Sequence, residues 1–212
     1  MRSAWLLPAL LCIPICPAFG QAPSASPAAE GSHTIERTFA SGGRVNMKLS
    51  AGEYMVRASA PDGKILIRWT TKKPEQAKKV SVSAEVKGPE CDIVTRGPRD
   101  SFRVEIELPA RADLHVRLNA GDFNVRGIEG SKDIECHAGD VTIDLGRADD
   151  YGAVDASVRI GDFEAPPLGA SKGGFIRKFK WQGPGRYALH AHVGVGSLSF
   201  LGTPSGSRQS MK

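Results

Sequence analysis

The sequence has few of the features that mark common enzymes or membrane-spanning proteins. Among 212 residues it has four cysteines, five histidines and 7% aromatic residues. The hydrolase motifs Ser-x-x-Lys and His-Glu-x-x-His are absent, as are a phosphate-binding loop and a dinucleotide-binding glycine pattern. Beyond the amino-terminal segment no apolar run is long enough to cross a bilayer, and no sustained helical period is visible. These absences favour a non-catalytic protein with little helix.

One short pattern recurs along the chain and dominates its interpretation. Alternating apolar residues precede a Gly and an acidic or polar residue, and alternating apolar residues follow; the copies centre on Gly52, Gly121, Gly139, Gly161 and Gly196. The apolar residues have odd offsets before the Gly and even offsets after it, so one continuous strand cannot direct all of them to the same side. Because Gly tolerates positive φ, each copy predicts two strands joined by a corner or tight turn.

Two all-β architectures agree with this repeat. In the first, the copies form a single-domain β-solenoid-like stack of β-turn-β units; in the alternative, an antiparallel β-sandwich, each Gly-Asp pair is a two-residue hairpin loop. The spacing from Gly121 to Gly139 is about 18 residues, which is plausible for one solenoid coil. The sequence therefore predicts an all-β, solenoid-like stack, with the sandwich as the alternative.

The two ends of the chain differ in composition from its centre. Residues 1–20 combine a positive start, an apolar stretch too short to span a bilayer and small residues before Gln21, which predicts a secretory signal peptide. Residues 21–34 are a Pro/Ala/Ser-rich linker and residues 201–212 a polar tail, both predicted to be disordered. The repeat domain is then 35–200, and we expect an exported protein of the periplasm or cell surface, with no transmembrane segment after signal cleavage.

Cysteine and charge give weaker indications. After signal cleavage the chain would keep Cys91 and Cys136, and in an oxidising compartment a disulfide between them is possible. Cys136 also occupies an apolar position of the repeat, which is typical of a free, buried thiol.

The formal net charge of +5 comes from mixed charges, and the basic run at 177–181 is interleaved with Phe179 and Trp181. Such a run can contact anionic glycans or lipid head groups, whereas export argues against nucleic acid as a partner.

Two patterns in the sequence resemble metal sites. His190 and His192 lie on the same side of a strand, a geometry that can bind a metal, but no third ligand is recognisable and two surface histidines explain them as well. Stacked units would also align the carboxylates that follow the glycines, which would suit Ca²⁺, although turn chemistry accounts for the same residues. Those carboxylates belong to Glu53, Asp122, Asp140 and Asp162. We predict no metal, no cofactor and no catalytic residues.

The repeats also carry a family resemblance. The segments Leu-Asn-Ala-Gly-Asp-Phe-Asn-Val at 118–125 and His-Ala-Gly-Asp-Val-Thr-Ile at 137–143 resemble the bacterial putative adhesin family, a family of domains of unknown function. The resemblance covers about residues 35–200 and implies β-solenoid-like repeats on a signal-bearing or membrane-tethered chain. It implies no functional residues.

We therefore expect an exported, non-catalytic binding or structural protein of the cell envelope, adhesin-like and of unknown ligand, with an envelope glycan or protein as the possible partner. Contact residues would lie between the apolar positions; the candidates are Arg103, His115, Arg117, Arg126 and Arg159. Two alternatives remain. One is an envelope hydrolase that acts on polysaccharide through a composite carboxylate site, and the other is a periplasmic module whose exposed strand edge pairs with a partner protein.

Overall fold

The computed structural model describes residues 33–61, 63–71, 74–98, 102–172 and 175–204. These residues form an all-β fold of fourteen strands, with three short 3₁₀ helices at Pro74–Lys79, Ala148–Asp150 and Pro166–Leu168. The strands are β1 (His33–Thr38), β2 (Arg44–Leu49), β3 (Gly52–Arg57), β4 (Lys64–Thr71), β5 (Ser81–Lys87), β6 (Glu90–Arg96), β7 (Phe102–Glu107), β8 (Asp113–Arg126), β9 (Lys132–Ala138), β10 (Val141–Arg147), β11 (Tyr151–Ala165), β12 (Ala170–Lys172), β13 (Phe175–Gln182) and β14 (Tyr187–Thr203). The all-β prediction is confirmed.

The strands are arranged as two faces that meet along a line of glycines. We call the first face the strand series β5-β6-β2-β8-β9-β14-β11-β13, and the second face the series β1-β4-β7-β3-β8-β10-β14-β11-β12. The long strands β8, β11 and β14 belong to both faces. Their first halves pair in the first face, and their second halves pair in the second.

Pairing is parallel in the middle of both faces and antiparallel at their ends. Parallel neighbours are what stacked units produce, whereas the sandwich alternative requires antiparallel hairpins. The units do not follow one another in chain order, however, because β14 lies between β11 and the pair β9 and β10. In the first face, β13 pairs with one edge of β11 and β14 pairs with the opposite edge.

The repeated glycines form the corner between the two faces. Gly121, Gly139, Gly161 and Gly196 have φ between +111° and +135°, the region that favours glycine. A Cβ placed on Gly121 would overlap the carbonyl oxygen of Gly52, and the same overlap links Gly139 to Gly121, Gly196 to Gly139 and Gly161 to Gly196. The glycines therefore touch one another through their backbones in the order of the stacked units.

The inward side chains of both faces form one hydrophobic core. All fifteen apolar positions of the five repeats, at five and three residues before the Gly and two after it, are buried; they are Met47, Leu49, Tyr54, Val116, Leu118, Phe123, Ile134, Cys136, Val141, Ala156, Val158, Phe163, Ala191, Val193 and Leu198. Edge-to-face aromatic pairs join Tyr54 to Phe102 and Phe163 to Phe200. The shift of apolar phase at each Gly thus directs the apolar side chains of both strands of a unit into the same core.

The predicted boundaries and the predicted signal peptide relate differently to the described residues. The first strand begins at His33 and the last ends at Thr203, so regular structure reaches slightly beyond 35–200 at each end. Residues 1–32, which contain the predicted signal peptide and most of the linker, lie outside the described residues, as do residues 205–212 of the tail. Within the described ranges, no helix has the length and apolar character needed to span a bilayer.

The disulfide suggested for Cys91 and Cys136 is not formed in this structure, where both are free and buried thiols. Cys91 lies in β6 and Cys136 in β9, and β2 and β8 separate these two strands in the first face. Three strand spacings amount to about 14 Å, whereas a disulfide needs Cα atoms within about 7 Å. Burial is the main cause that raises the pKa of each thiol to about 11.

Candidate functional site

The outward side chains of the first face align in rows, because residues in register on neighbouring strands lie side by side. One row crosses seven strands and is polar throughout. We call it the polar row; its members are Asp92, Asn46, His115, Asp133, His190, Asp155 and Lys180, on β6, β2, β8, β9, β14, β11 and β13 in that order. Six strand spacings give the row a length of about 29 Å.

Three pairs of neighbouring members of the polar row are joined by a hydrogen bond or an ion pair. The Asn46 amide donates a hydrogen bond to Asp92 Oδ1 at 2.9 Å. His115 Nδ1 lies 2.8 Å from Asp133 Oδ2. At the other end Lys180 Nζ lies 3.4 Å from Asp155 Oδ2. Acidic groups thus lie beside amide, imidazole and ammonium groups along a surface that is exposed at His190 and Lys180 and half-buried at the other five members.

A second row lies beside the polar row, two residues further along each strand. Arg117 joins the two rows, because its Nη2 lies 3.0 Å from Asp133 Oδ2 and its Nε lies 3.1 Å from Glu135 Oε2. Further along, the Ser157 hydroxyl and His192 Nδ1 are 2.8 Å apart and share a hydrogen bond. The charge of Asp133 in the polar row is therefore neutralised in part by Arg117 of the neighbouring row.

Three potential metal ligands meet at the centre of the first face. One ligand atom each from Asp133, Glu135 and His190 lies within 4.8 Å of the others. Burial raises the pKa of Asp133, but the hydrogen bond and charge of Arg117, with the charges of His115 and His190, outweigh this effect and lower the pKa overall. Asp133 is therefore ionised at neutral pH.

A concavity adjoins this cluster on the same face. Its volume is about 480 Å³, and Asp133 and His190 line it together with Arg44, His115 and Asp155. These residues come from β9, β14, β2, β8 and β11, so the concavity extends across five of the strands. A ligand that enters it would meet carboxylate, imidazole and guanidinium groups at once.

Sequence reasoning identified only part of this cluster. It singled out His190 and His192, but the structure brings only His190 to the other two ligands, while His192 bonds Ser157. The missing ligands, Asp133 and Glu135, occupy on β9 the same two outward positions that the histidines occupy on β14. The only local signal of the cluster was that the residues of each pair, on β9 and on β14, stand two positions apart. The pairing of β9 with β14, which brings the two pairs together, could not be read from the sequence.

The second face carries the carboxylate row that the repeat predicted. Its members are Arg103 on β7, Glu53 on β3, Asp122 on β8, Asp140 directly before β10, Ser197 on β14 and Asp162 on β11. Arg103 Nη2 lies 2.6 Å from Glu53 Oε2, and Asp140 Oδ1 accepts hydrogen bonds from Ser197 N at 3.0 Å and Ser197 Oγ at 2.7 Å. Among the described residues, only the Asp133 cluster groups three potential metal ligands within 4.8 Å.

Asp122 lies in the middle of this carboxylate row of the second face. No other member of the row forms an ion pair or a hydrogen bond with its side chain. Partial burial is the main cause that raises its pKa, and the neighbouring charges of Asp140 and Glu53 add to the increase. The row is therefore stabilised at Glu53 and at Asp140, and strained electrostatically at Asp122.

Lys132 is a buried cation that sequence reasoning did not identify. Only 2% of its surface is exposed, and its Nζ donates hydrogen bonds to Ile128 O at 2.8 Å, Gly130 O at 3.2 Å and Tyr151 Oη at 2.5 Å. Burial lowers its pKa to about 8 against the opposing charges of nearby carboxylates, of which Asp144 is the strongest. Lys132 thus ties the 128–130 turn to the aromatic ring of Tyr151.

The five candidate contact residues are divided between the two faces. His115 belongs to the polar row, Arg117 bridges it to the next row, and Arg159 is exposed on the first face. Arg103 and Arg126 lie on β7 and β8 of the second face. Within the basic run, Lys178 and Lys180 are exposed, whereas Phe179 and Trp181 pack against the core.

The chain does contain one Gly-x-Ser-x-Gly pattern, at 169–173. In hydrolases this pattern needs a serine on a sharp turn from a strand into a helix. Ser171 instead lies within the short strand β12, which pairs antiparallel with β11 and follows the 3₁₀ helix Pro166–Leu168. The structural context of a nucleophile elbow is therefore not met at Ser171.

Comparison with known proteins gives a likeness of fold. No family model matches the chain, and no curated protein matches it. A solved structure of a putative cell adhesion protein from Clostridium sporogenes is similar, with a TM-score of 0.51 and 13% identity over 80% of this chain and 98% of that one. At this identity the likeness shows a shared fold alone.

Two further solved structures are less similar. A putative adhesin from Parabacteroides distasonis has a TM-score of 0.29 and 12% identity, over 81% of this chain and 71% of that one. A putative lipid binding protein from the same organism has a TM-score of 0.25 and 7% identity, over 82% of this chain and 98% of that one.

Proposed function

We propose that this chain is an exported, non-catalytic binding protein of the cell envelope that contacts an extended envelope ligand, a glycan in the first instance, along the polar row. The observation that carries the proposal is the row itself, seven side chains in register over about 29 Å. An exposed ion pair contributes only about 0–1 kcal/mol. Useful affinity on such a surface requires many contacts along a polymer.

Fold and composition support the same function. The similar Clostridium sporogenes structure is that of a putative cell adhesion protein. The amino-terminal 20 residues have the composition of a secretory signal peptide, which would deliver the chain to the envelope. Amino-terminal sequencing of the protein purified from its host tests this step, and we expect the mature chain to begin at Gln21.

Sedimentation with insoluble envelope glycan tests the proposed binding surface. The double variant Asp155→Ala, Lys180→Ala removes the exposed pair at one end of the polar row, where Lys180 Nζ lies 3.4 Å from Asp155 Oδ2. The matched control Glu36→Ala, Lys64→Ala removes an exposed pair of similar kind from β1 and β4 of the second face. We expect the first variant to lower the bound fraction and the control to leave it unchanged; equal binding by both would contradict the proposal.

Protease treatment of intact cells tests the side of the envelope on which the protein acts. We expect cleavage of this protein while a periplasmic control protein survives, as an adhesin-like role requires. If both proteins survive until the envelope is opened, adhesion is excluded. The binding role would then be periplasmic, and a partner protein that pairs with an exposed strand edge becomes the ligand to seek.

A polysaccharide hydrolase is the second candidate, and one observation favours it. Asp122 has a raised pKa beside the carboxylates of Glu53 and Asp140, as a general acid requires. Release of reducing ends from envelope polysaccharide, lost in Asp122→Asn, would support this function. The absence of any release by the purified chain would exclude it for that substrate.

A further inference from the structure

We propose that the first face carries a binding site for a divalent transition metal of the Zn²⁺ type, with Asp133, Glu135 and His190 as its ligands. One ligand atom from each residue lies within 4.8 Å of the others, so a single ion can contact all three after small side-chain rotations. Asp133 and Glu135 alternate with inward residues on β9, and His190 is the register partner of Asp133 on β14. The backbone pairing therefore fixes the three side chains on one surface.

The two oxygens of Asp133 are in different environments. Oδ2 is 2.8 Å from His115 Nδ1 and 3.0 Å from Arg117 Nη2. Oδ1 is shielded from solvent and has no hydrogen-bond partner among the described residues. A shielded carboxylate oxygen without a partner is unfavourable, and such atoms are rare in native proteins. A bound cation would supply the interaction that Oδ1 lacks.

Arg117 orients the carboxylates of Asp133 and Glu135 and contacts only one oxygen of each, which leaves the other oxygen for a metal ion. Its Nη2 contacts Asp133 Oδ2, and its Nε contacts Glu135 Oε2, so each carboxylate keeps a second oxygen. Partners of this kind commonly hold metal ligands in place from the side remote from the ion. His115 supports Asp133 in the same way, through Oδ2.

The donor set determines the class of metal. An imidazole nitrogen with two carboxylates suits Zn²⁺ and its first-row neighbours, whereas Ca²⁺ and Mg²⁺ prefer oxygen ligands alone and in larger number. Three protein ligands leave a fourth tetrahedral position open to water or to a bound ligand. The site also adjoins the concavity of about 480 Å³, which Asp133 and His190 line, so a ligand in the concavity could reach the open position.

Isothermal titration of the purified chain with ZnCl₂ tests the proposal, with His190→Ala and Asp133→Asn as the variants. We expect one Zn²⁺ per chain and a loss of affinity of about tenfold or more in each variant. The matched control is His192→Ala, which removes a histidine two residues away on the same strand and the same face. It should bind Zn²⁺ as the unchanged chain does, because the His192 ring pairs with Ser157.

Several outcomes would overturn the site. They are no binding of Zn²⁺, binding of CaCl₂ as tight as that of ZnCl₂, or an equal loss in His190→Ala and His192→Ala, which would indicate a simple histidine pair. His190 is exposed, so His190→Ala should fold normally, and equal thermal unfolding of both histidine variants without metal checks this. Because the titration uses the metal alone, its failure would not bear on envelope binding.

Discussion

Gly139 lies directly against Gly121 at the corner between the two faces, and a Cβ on Gly139 would overlap the carbonyl oxygen of Gly121. The φ of Gly139 is +135°, which residues with side chains rarely adopt. Both the conformation and the close approach therefore require glycine. The same contact recurs at Gly121, Gly161 and Gly196, so the corner is constrained in the same way from unit to unit.

Substitution at this corner should be unusually costly. Gly139→Ala adds a clash with backbone to a conformational strain of about 1–3 kcal/mol, and we expect it to lose more than about 2 kcal/mol of unfolding free energy, measured in urea. Gly88→Ala is the control, because Gly88 also has positive φ but open space around it. It should lose only the conformational part. Equal losses in the two variants would show that the backbone contact does not matter.

The buried Lys132 should make stability depend on pH in a defined direction. Its pKa is about 8 in the folded chain and 10.5 in the unfolded chain, so its burial penalty is complete below pH 8. Between these values the unfolded chain holds the extra proton, and stability rises with pH. We expect the urea midpoint to increase from pH 8 to pH 9, and Lys132→Met to abolish this increase. A decrease over this interval would contradict the assigned pKa.

The two buried thiols should reverse this trend at higher pH. Cys91 and Cys136 have a pKa of about 11 when folded, against an ordinary pKa of 9.0 for the exposed thiol. Above pH 9 the folded chain holds the extra protons, so stability falls as pH rises. The double variant Cys91→Ala, Cys136→Ala should show a smaller fall above pH 9 than the unchanged chain.

Thiol counting should find no disulfide between Cys91 and Cys136. In the chain lacking residues 1–20, which keeps only these two cysteines, we expect two thiols in denaturant with or without prior reduction. In the native chain both should react slowly, because burial disfavours the thiolate. A count of zero before reduction would show that the disulfide forms after all.

Two neighbouring aspartates of the second face should respond oppositely to neutralisation. Asp122→Asn removes repulsion from Asp140 and Glu53, so at pH 7 we expect unchanged or slightly raised stability, by up to about 1 kcal/mol. Asp140→Asn weakens two hydrogen bonds from Ser197 and should lose about 1 kcal/mol. Urea unfolding of the two variants side by side makes the comparison. A loss in Asp122→Asn as large as in Asp140→Asn would contradict it.

Local sequence pattern predicted the part of the fold that each repeat determines by itself. The apolar alternation around Gly121 correctly identified Leu118 and Phe123 as buried, although they lie on opposite sides of the corner. Cys136 was correctly recognised as a core position by the same rule. These predictions depend only on the period of a strand and on the conformational freedom of glycine.

The candidate site was predicted less completely, because it depends on which strands are neighbours. His190 was recognised as a possible ligand, but Asp133 and Glu135 were not, since they lie more than fifty residues earlier in the chain. Lys132 stands two residues before Ile134, at an inward position of β9, and its ammonium is buried on two carbonyls and Tyr151. The strand period indicates the direction of this side chain, but the partners of its charge depend on which segments are neighbours.

The sequence by itself determined the all-β class, the corners at the repeated glycines and the apolar positions of the core. Each of these features follows from the steric and hydrophobic preferences of a segment of about ten residues. The tertiary structure alone decided that β14 lies between β11 and the β9–β10 pair. Many strand edges in this chain are similar enough to pair in parallel, and no local sequence pattern specifies which of them are neighbours. That choice places His190 beside Asp133, and the proposed metal site exists only because of it.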